Sequence, residues 1–416
     1  MNFLQDRFTT NFGLIPYEVL QESPQYMKNH PLYLFVPATY GDATSGEVAE
    51  NIFSTIQALQ DRTESIDHIV LGLDAAEEQK QFEEIRERFK QIPNSTVIWN
   101  SAPEMLRLYE EFKEQEIPVS PGKGRNMWTG LGYRYMINRG SSFVIHDCDI
   151  KPKHYTEDTL LSLITPILHP EFGEQDFNKA YYRRITPHDK NDPDSQLKLS
   201  GRVTRLLVSP FLDAVHENYG DISKTVLDYV DFLKAFKYPL SGEFAMRANL
   251  ANTLEIQPDW GLEIGTLNSL FQRRSHLSQV DLGDYDHKHQ DVEKNDPKKG
   301  LNRMAEDIVK TVFRKLYSLA EEESMDQEAY MYLMKDFQKF ADQAIDDYKL
   351  YSKSRKFYFD EVAEIEAKHV FHDAIERAYR RFISQPEEVR PLPNWNQIPH
   401  KQRQELVDII EYYNRD

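Results

Sequence analysis

Residues 142–152 read Ser142-Phe143-Val144-Ile145-His146-Asp147-Cys148-Asp149-Ile150-Lys151-Pro152, a short apolar run closed by two carboxylates one residue apart. The run has the pattern of a buried strand. Side chains at i and i+2 of an extended segment point to the same side. Asp147 and Asp149 can therefore face one crevice at the strand end and share a hard divalent cation. Mg²⁺ or Mn²⁺ prefers such oxygen ligands and can also grip the phosphates of a nucleotide.

The text around this run decides what it means. Upstream, 33–36 (Tyr-Leu-Phe-Val), 69–73 (Ile-Val-Leu-Gly-Leu) and 97–99 (Val-Ile-Trp) are further apolar runs. Between them, 47–60 and 76–91 carry Glu and Lys spaced for exposed helix faces. Residues 126–138 read as a helix leading into the strand before Asp147. The alternation predicts a parallel sheet covered by helices, with ligands bound at the carboxyl ends of the strands. Asp-x-Asp also punctuates ordinary turns. A haloacid-dehalogenase-type phosphatase places it after a strand near the N-terminus, whereas here it lies some 150 residues in and is followed by Ile150, Lys151 and Pro152.

Downstream, 186–199 and 284–300 are polar and turn-rich and are expected to be surface loops, the first of them mobile. From Leu301 the pattern is helical. Ile308, Val312, Phe313 and Leu316 recur at helical spacing, as do Phe337, Phe340, Ala344 and Tyr348, and both sets read as core stripes. The expected division is a catalytic domain over 1–300, with a nucleotide half at about 31–150 and an acceptor half at about 151–300, and a helical extension over 301–416.

With 416 residues, 40% hydrophobic and 28% charged, the composition is that of a globular protein with one large core or two smaller ones. No apolar run approaches a membrane span, and the first residues lack the basic and apolar blocks of a signal peptide. A cytoplasmic location is expected, without membrane attachment. A single cysteine, Cys148, excludes an intramolecular disulfide and reads as a buried spacer between the two acids. The net charge of −18 argues against a nucleic-acid partner. An anionic substrate would need local positive charge, for which Lys123, Arg125, Arg183, Arg184, Arg202 and Arg205 are candidates.

Pro121-Gly122-Lys123-Gly124 precedes a helix, where glycines let the backbone approach a ligand and Lys meets an anion already favoured by free N–H groups. It lacks the Walker spacing. Glu243, in Gly-Glu-Phe-Ala, and Glu263, in Trp-Gly-Leu-Glu-Ile-Gly, sit in apolar text where a carboxylate is costly unless paired or used. His287 lies in polar text, Asp286-His287-Lys288-His289, where a core role is not expected.

In this order, the Gly-Lys-Gly turn, the Asp-x-Asp, the two glutamate segments and the late histidine resemble the glucosyl-3-phosphoglycerate synthases. The resemblance covers roughly residues 31–320. It is strongest in 179–184 (Lys-Ala-Tyr-Tyr-Arg-Arg), 201–205 (Gly-Arg-Val-Thr-Arg), 239–245 (Pro-Leu-Ser-Gly-Glu-Phe-Ala) and 260–265 (Trp-Gly-Leu-Glu-Ile-Gly). The related mannosylglycerate synthases share 121–124, 259–261 and a long helical C-terminal region. The resemblance implies a GT-A-type, Rossmann-like α/β domain with a mixed, mainly parallel sheet, and retaining transfer of glucose from UDP-glucose to 3-phosphoglycerate with Mg²⁺ or Mn²⁺.

It also implies roles by position. Asp149 and His287 would ligate the metal, with Asp147 on the ribose or a metal-bound water. Lys123 would hold the diphosphate, Pro37 and Asp74 the base, and Glu243 the sugar hydroxyls. Glu263 would lie by the reacting centre, making Glu263, Asp149 and Lys123 the catalytic set. Arg184, Gly201, Arg202, Thr204 and His289 would receive the acceptor. Related enzymes are commonly dimers, so a homodimer is expected.

The family's Pro-Ala-x-Asn-Glu-Glu-like loop stands here as 37–42 (Pro-Ala-Thr-Tyr-Gly-Asp), and its Asp-Ser-Gly as 74–76 (Asp-Ala-Ala). Its Arg-Asn-Arg stands as Lys288-His289-Gln290. D-glycerate or a related small acid, with a UDP- or GDP-sugar, is thus the alternative pair. A nucleotidyltransferase would open with a Gly-rich loop, and 37–42 holds one glycine. A non-catalytic sugar-nucleotide binder would not need Asp147, Asp149, Glu263 and His287 together.

Overall fold

The computed structural model describes residues 7–189, 191–192, 194–219, 223–273, 275–287, 292–319, 327–385 and 390–415. Strand β1 (Thr10–Gly13) and helix α1 (Tyr17–Met27) precede the first apolar run, which forms β2 (Leu32–Thr39). All of β2 but Thr39 is buried, as befits a strand covered on both faces. After the one-turn α2 (Tyr40–Ala43), α3 (Glu47–Thr63) buries Ala49, Ile52, Phe53, Ile56 and Leu59, the stripe of a helix with one wet face. It delivers the chain to β3 (Ile66–Asp74). Helix α4 (Gln79–Phe89), opened by a capping box between Glu78 and Gln81, leads to β4 (Ser95–Trp99). Helices α5 (Pro103–Glu114) and α6 (Lys123–Ile137) then return the chain to β5 (Ser142–Ile145).

β2 pairs in parallel with β3 on one side and β5 on the other, and β4 extends β3 in parallel. The chain leaves β2 toward one side and comes back on the other, so a crevice opens beyond the carboxyl ends of β2 and β5. Helix α6 runs beneath that crevice with every residue from 124 to 134 buried. Gly130 and Gly132 make this possible, because a Cβ there would stand 2.3 and 2.2 Å from ring atoms of Phe35 and Trp395.

The second half makes the sheet mixed. It comprises α7 (Glu157–Leu168), β6 (Phe177–Pro187), β7 (Leu197–Leu199), a π-helical turn (Val203–Val208), α8 (Ser209–Tyr219) and α9 (Lys224–Ala235). β8 (Phe244–Arg247), α10 (Ala248–Ala251), α11 (Leu262–Phe271) and β9 (Leu277–Tyr285) follow. β8 runs antiparallel between β5 and β6, while β9 is parallel to both β6 and β1. The order is β1-β9-β6-β8-β5-β2-β3-β4, with β7 on β6. The sheet is mixed and mainly parallel, as the resemblance implied.

The stretch 186–199 is not simply a loop. Ile185, Thr186 and Pro187 pair with Leu199, Lys198 and Leu197, forming a hairpin. Tyr358 N also donates to Leu197 O. These are backbone pairings, which leave no trace in side-chain periodicity. The supposed loop at 284–300 begins inside β9, and its residues 288–291 lie outside those described.

Four long helices follow: α12 (Gly300–Leu319), α13 (Gln327–Arg355), α14 (Glu361–Ser384) and α15 (His400–Asn414). Ile308, Val312, Phe313 and Leu316 are buried. On α13 the buried stripe is Phe337, Ala341 and Ile345, with Phe340 and Ala344 packed beside it. One hydrophobic cluster runs through both the sheet and these helices. The Trp395 and Trp128 rings lie against each other, tilted by 30° with centroids 4.2 Å apart, and Trp395 Nε1 donates to Trp128 O at 2.7 Å. At the far sheet edge the Asn414 side chain accepts from Val97 N at 3.0 Å and donates to Val97 O at 2.8 Å. Among the described residues no helix is long and apolar enough to cross a membrane.

Candidate active site

The crevice is the mouth of a cavity of about 1460 Å³. Pro37, at the end of β2, and Asp74, at the end of β3, line one wall. Burial pushes the Asp74 carboxyl up, against the pull of Arg125, whose Nη2 stands 2.7 Å from Asp74 Oδ1. The Arg125 guanidinium lies 4.7 Å over the Tyr109 ring, so this cation is held on both sides.

Lys123 opens α6 behind Gly122, whose φ of +143° suits glycine. The Lys123 Nζ stands 2.6 Å from Asp147 Oδ1 and 3.1 Å from Glu263 Oε1. Burial alone would strip this ammonium of its proton, but Asp147, Glu263 and Glu243 outweigh it and keep the group charged. Burial likewise opposes ionisation of Asp147, and Lys123 reverses that and holds the carboxyl below its ordinary value. Glu263 lies in the first turn of α11, after Asp259 Oδ1 has accepted from Gly261 N at 2.9 Å. Gly242 lets these groups meet, since a Cβ on it would stand 2.5 Å from Lys123 Nζ and 2.8 Å from Asp147 Oδ2.

Asp149 and His287 are brought together by backbone. Ile150 and His287 form an antiparallel bridge, and Lys151 N donates to Asp286 O at 2.9 Å. His287 Nδ1 then stands 3.8 Å from Asp149 Oδ1, a buried oxygen that receives no hydrogen bond from the described residues. An acceptor oxygen left bare beside an imidazole fits a divalent cation. Among the described residues no group of three or more His, Cys, Asp or Glu could hold an ion. A cation here would keep two protein ligands and take its other oxygens from diphosphate and water, as Mg²⁺ commonly does. Asp147, expected on the ribose or a metal-bound water, engages Lys123 through Oδ1. Cys148 between them is buried, and burial pushes its thiol far up, as an inert spacer requires.

Glu243, just before β8, accepts from Tyr182 OH at 2.9 Å with Oε2, while its buried Oε1 has no hydrogen-bond partner among the described residues. Burial first, then the charge of Asp147, pushes this carboxyl up. Arg184, Gly201, Arg202 and Thr204 line the same cavity. Gly201 has φ +76°, and Thr204 Oγ1 is buried without a hydrogen-bond partner among the described residues. Arg202 Nε donates to Glu364 Oε1 of α14 at 2.7 Å. His289 lies outside the described residues.

Two side chains had no role in the sequence reading. Glu364 is one, since 162 positions separate it from Arg202 and nothing local marks the pair. Lys179 is the other: it is buried on β6 and donates to Ser241 O at 2.6 Å. Burial pushes its ammonium down to about 8 from the ordinary 10.5, against the attraction of Glu263 and Glu243. Between those two values the unfolded chain keeps a proton that the native chain has released, so this residue adds stability as pH rises. Urea denaturation at about pH 7 and about pH 9.5 should show wild type gaining about 2 kcal/mol on Lys179→Met between the two, at roughly 1.36 kcal/mol per pKa unit. A constant difference would reject the assignment.

No protein-family model matches the chain. It is 35% identical over 387 residues to the glucosyl-3-phosphoglycerate synthase of Persephonella marina, covering 92% of this chain and 89% of that protein. To the enzyme of the same name from Methanococcoides burtonii it is 30% identical over 322 residues, 76% of this chain and 73% of that one. Among solved structures, it resembles glucosyl-3-phosphoglycerate synthase from Mycobacterium tuberculosis in complex with Mn²⁺, uridine diphosphate and glucosyl-3-phosphoglycerate. That match has a TM-score of 0.50 and 21% identity, over 75% of this chain and 88% of that one. Mannosyl-3-phosphoglycerate synthase from Rubrobacter xylanophilus gives 0.51 and 21%, over 76% and 83%. At these identities the solved structures speak to the fold.

Proposed function

This chain belongs to the glucosyl-3-phosphoglycerate synthase family and is a glycosyltransferase, and from that premise we propose that it transfers glucose from UDP-glucose to 3-phosphoglycerate with retention. The carrying observation is the pairing, in one cavity, of a Lys123 kept charged by Asp147 and Glu263 with a bare Asp149 oxygen beside His287.

Asp149 and His287 would hold Mg²⁺ or Mn²⁺, which when bound neutralises charge developing on the departing diphosphate. Lys123 supplies a second positive charge to the same oxygens, at no cost in reorganisation because its partners already position it. Asp147 orients Lys123 as well as facing the ribose. Asp74 and Pro37 line the base end. Glu263 faces the sugar, where its negative charge favours the oxocarbenium character of glycosyl transfer, and Glu243 offers its unpartnered Oε1 to a sugar hydroxyl. The acceptor hydroxyl gives its proton to the leaving phosphate on the same face, so no side chain has to act as base.

The acceptor wall favours a phosphorylated acid over glycerate, because Lys151, Arg184, Lys198 and Arg202 all line the cavity. Arg202→Ala should raise the acceptor KM by roughly tenfold or more and leave the donor KM within about twofold. An unchanged acceptor KM would remove residues 201–204 from the acceptor site. In this reading residues 1–300 carry catalysis, and 301–416 support them. The resemblance supports a homodimer.

The test is to incubate the protein and Mg²⁺ or Mn²⁺ with UDP-, GDP- and ADP-sugars, each with 3-phosphoglycerate or glycerate, and to measure nucleoside diphosphate and glycoside. UDP-glucose with 3-phosphoglycerate should lead. A lead for glycerate would transfer the assignment to the unphosphorylated acceptor.

A further inference from the structure

One carboxylate binds two of the arginines expected to face an anionic acceptor, and it comes from the helical extension. Glu364, in the first turn of α14, is 3% exposed. Its Oε1 accepts from Arg202 Nε at 2.7 Å and its Oε2 from Arg205 Nη1 at 2.9 Å. The two arginines differ in what they have left. Arg205 is 8% exposed, donates from Nε to Ser200 O at 3.0 Å and lies 4.6 Å over the Tyr348 ring of α13. The Arg202 side chain remains 29% exposed at the cavity wall, and among the described residues only its Nε is engaged.

We propose that Glu364 is a positioning residue for acceptor recognition, holding Arg202 by Nε so that its two Nη groups form the fork offered to the acceptor's anion. The inference rests on reading 201–204 as the acceptor loop. A guanidinium tethered through Nε keeps its opposite edge free, and that edge matches two oxygens of a phosphate or carboxylate. Two arginines on one carboxylate leave one net positive charge at the wall. Without Glu364 the two like charges repel, and Arg202 loses its fixed direction.

The rest of the extension supports the same placement. Asp360 caps α14 through Ala363 N at 3.0 Å, setting the turn that carries Glu364. Just before it, Tyr358 N donates to Leu197 O at 2.7 Å, and Gln196 Nε2 donates to Lys356 O at 2.5 Å. The α13–α14 connection thus grips the β6–β7 hairpin while Glu364 grips the loop after it. The helical extension thus shapes the acceptor wall.

The experiment measures KM for 3-phosphoglycerate and for UDP-glucose, acceptor-free hydrolysis of UDP-glucose, and thermal melting for wild type, Arg202→Ala, Glu364→Gln and Glu364→Asp. Glutamine keeps the volume but can accept from only one arginine, and aspartate keeps the charge but draws Arg202 back by one methylene. Both Glu364 variants should raise the acceptor KM by roughly tenfold, with donor KM and acceptor-free hydrolysis within about twofold of wild type. If Arg202→Ala raises the acceptor KM and neither Glu364 variant does, positioning by Glu364 is overturned while the acceptor loop stands. If none of the three changes it, the loop assignment falls and the inference with it. A parallel loss of donor KM, hydrolysis and melting temperature would make Glu364 a packing residue and overturn the proposal.

Discussion

Replacing Asp149 with alanine should lower kcat/KM by about a thousandfold in Mg²⁺ or Mn²⁺, roughly 4 kcal/mol of lost transition-state stabilisation. The size follows from the site's economy. In the proposed site Asp149 and His287 are the protein's ligands, so removing one takes away half of the protein's hold on the ion. The fold should change little, because among the described residues Asp149 Oδ1 accepts no hydrogen bond. The expected result is unchanged melting with lost turnover, and a metal titration in which saturation moves to higher concentration. His287→Ala should behave alike, and the double variant should lose little more than either, since both act on one ion. Full activity in either single variant would sink the proposed metal site.

Lys123→Met should be as damaging to turnover and, unlike the first change, should also cost stability. Methionine keeps the length of the side chain and removes its charge. Asp147 and Glu263 then face each other with Glu243 nearby and no ammonium between them. Breaking a buried ion pair from one side costs about 3–5 kcal/mol. Part of that cost can be relieved by protonation: Asp147, held low by Lys123, should titrate at higher pH once the lysine is gone. The variant should therefore recover stability as pH falls from neutral toward about 5, where the newly raised carboxyl takes up its proton in the native state first. Chemical denaturation across that range checks the sign. A variant equally destabilised at both ends would show that Lys123 contributes by packing alone.

The part of the sheet from β2 to β5 was legible in the sequence because its information is local. The runs at 33–36, 69–73 and 97–99 lie within β2, β3 and β4, and each is followed or preceded by a helix with a clear apolar stripe. Asp147 and Asp149 were found because a strand end gives both their side and their exposure. The other half hid its order in non-local pairing. β9 lies beside β6 although some 100 residues separate Phe177 from its partner Leu277, and no short motif records such a choice. Helix α6 was recognised only from residue 126, since a helix buried all round has no amphipathic period to read. The Arg202–Glu364 contact was invisible for the same reason as the sheet order. An acid on the wet-looking text of a late helix gives no sign of which cation it will meet.

The Asn414 amide has a consequence for the molecule's company in solution. Its oxygen and nitrogen stand in for one peptide unit of a strand that is absent, bonded to both Val97 N and Val97 O. β4 ends the sheet order, so this is where another chain's strand would add. A side chain donated from the last turn of α15 occupies one rung of that ladder and bars the register around it. Shortening the protein to end at Ile410 would uncover the rung, and the first symptom would be self-association at high concentration, ahead of any loss of catalysis.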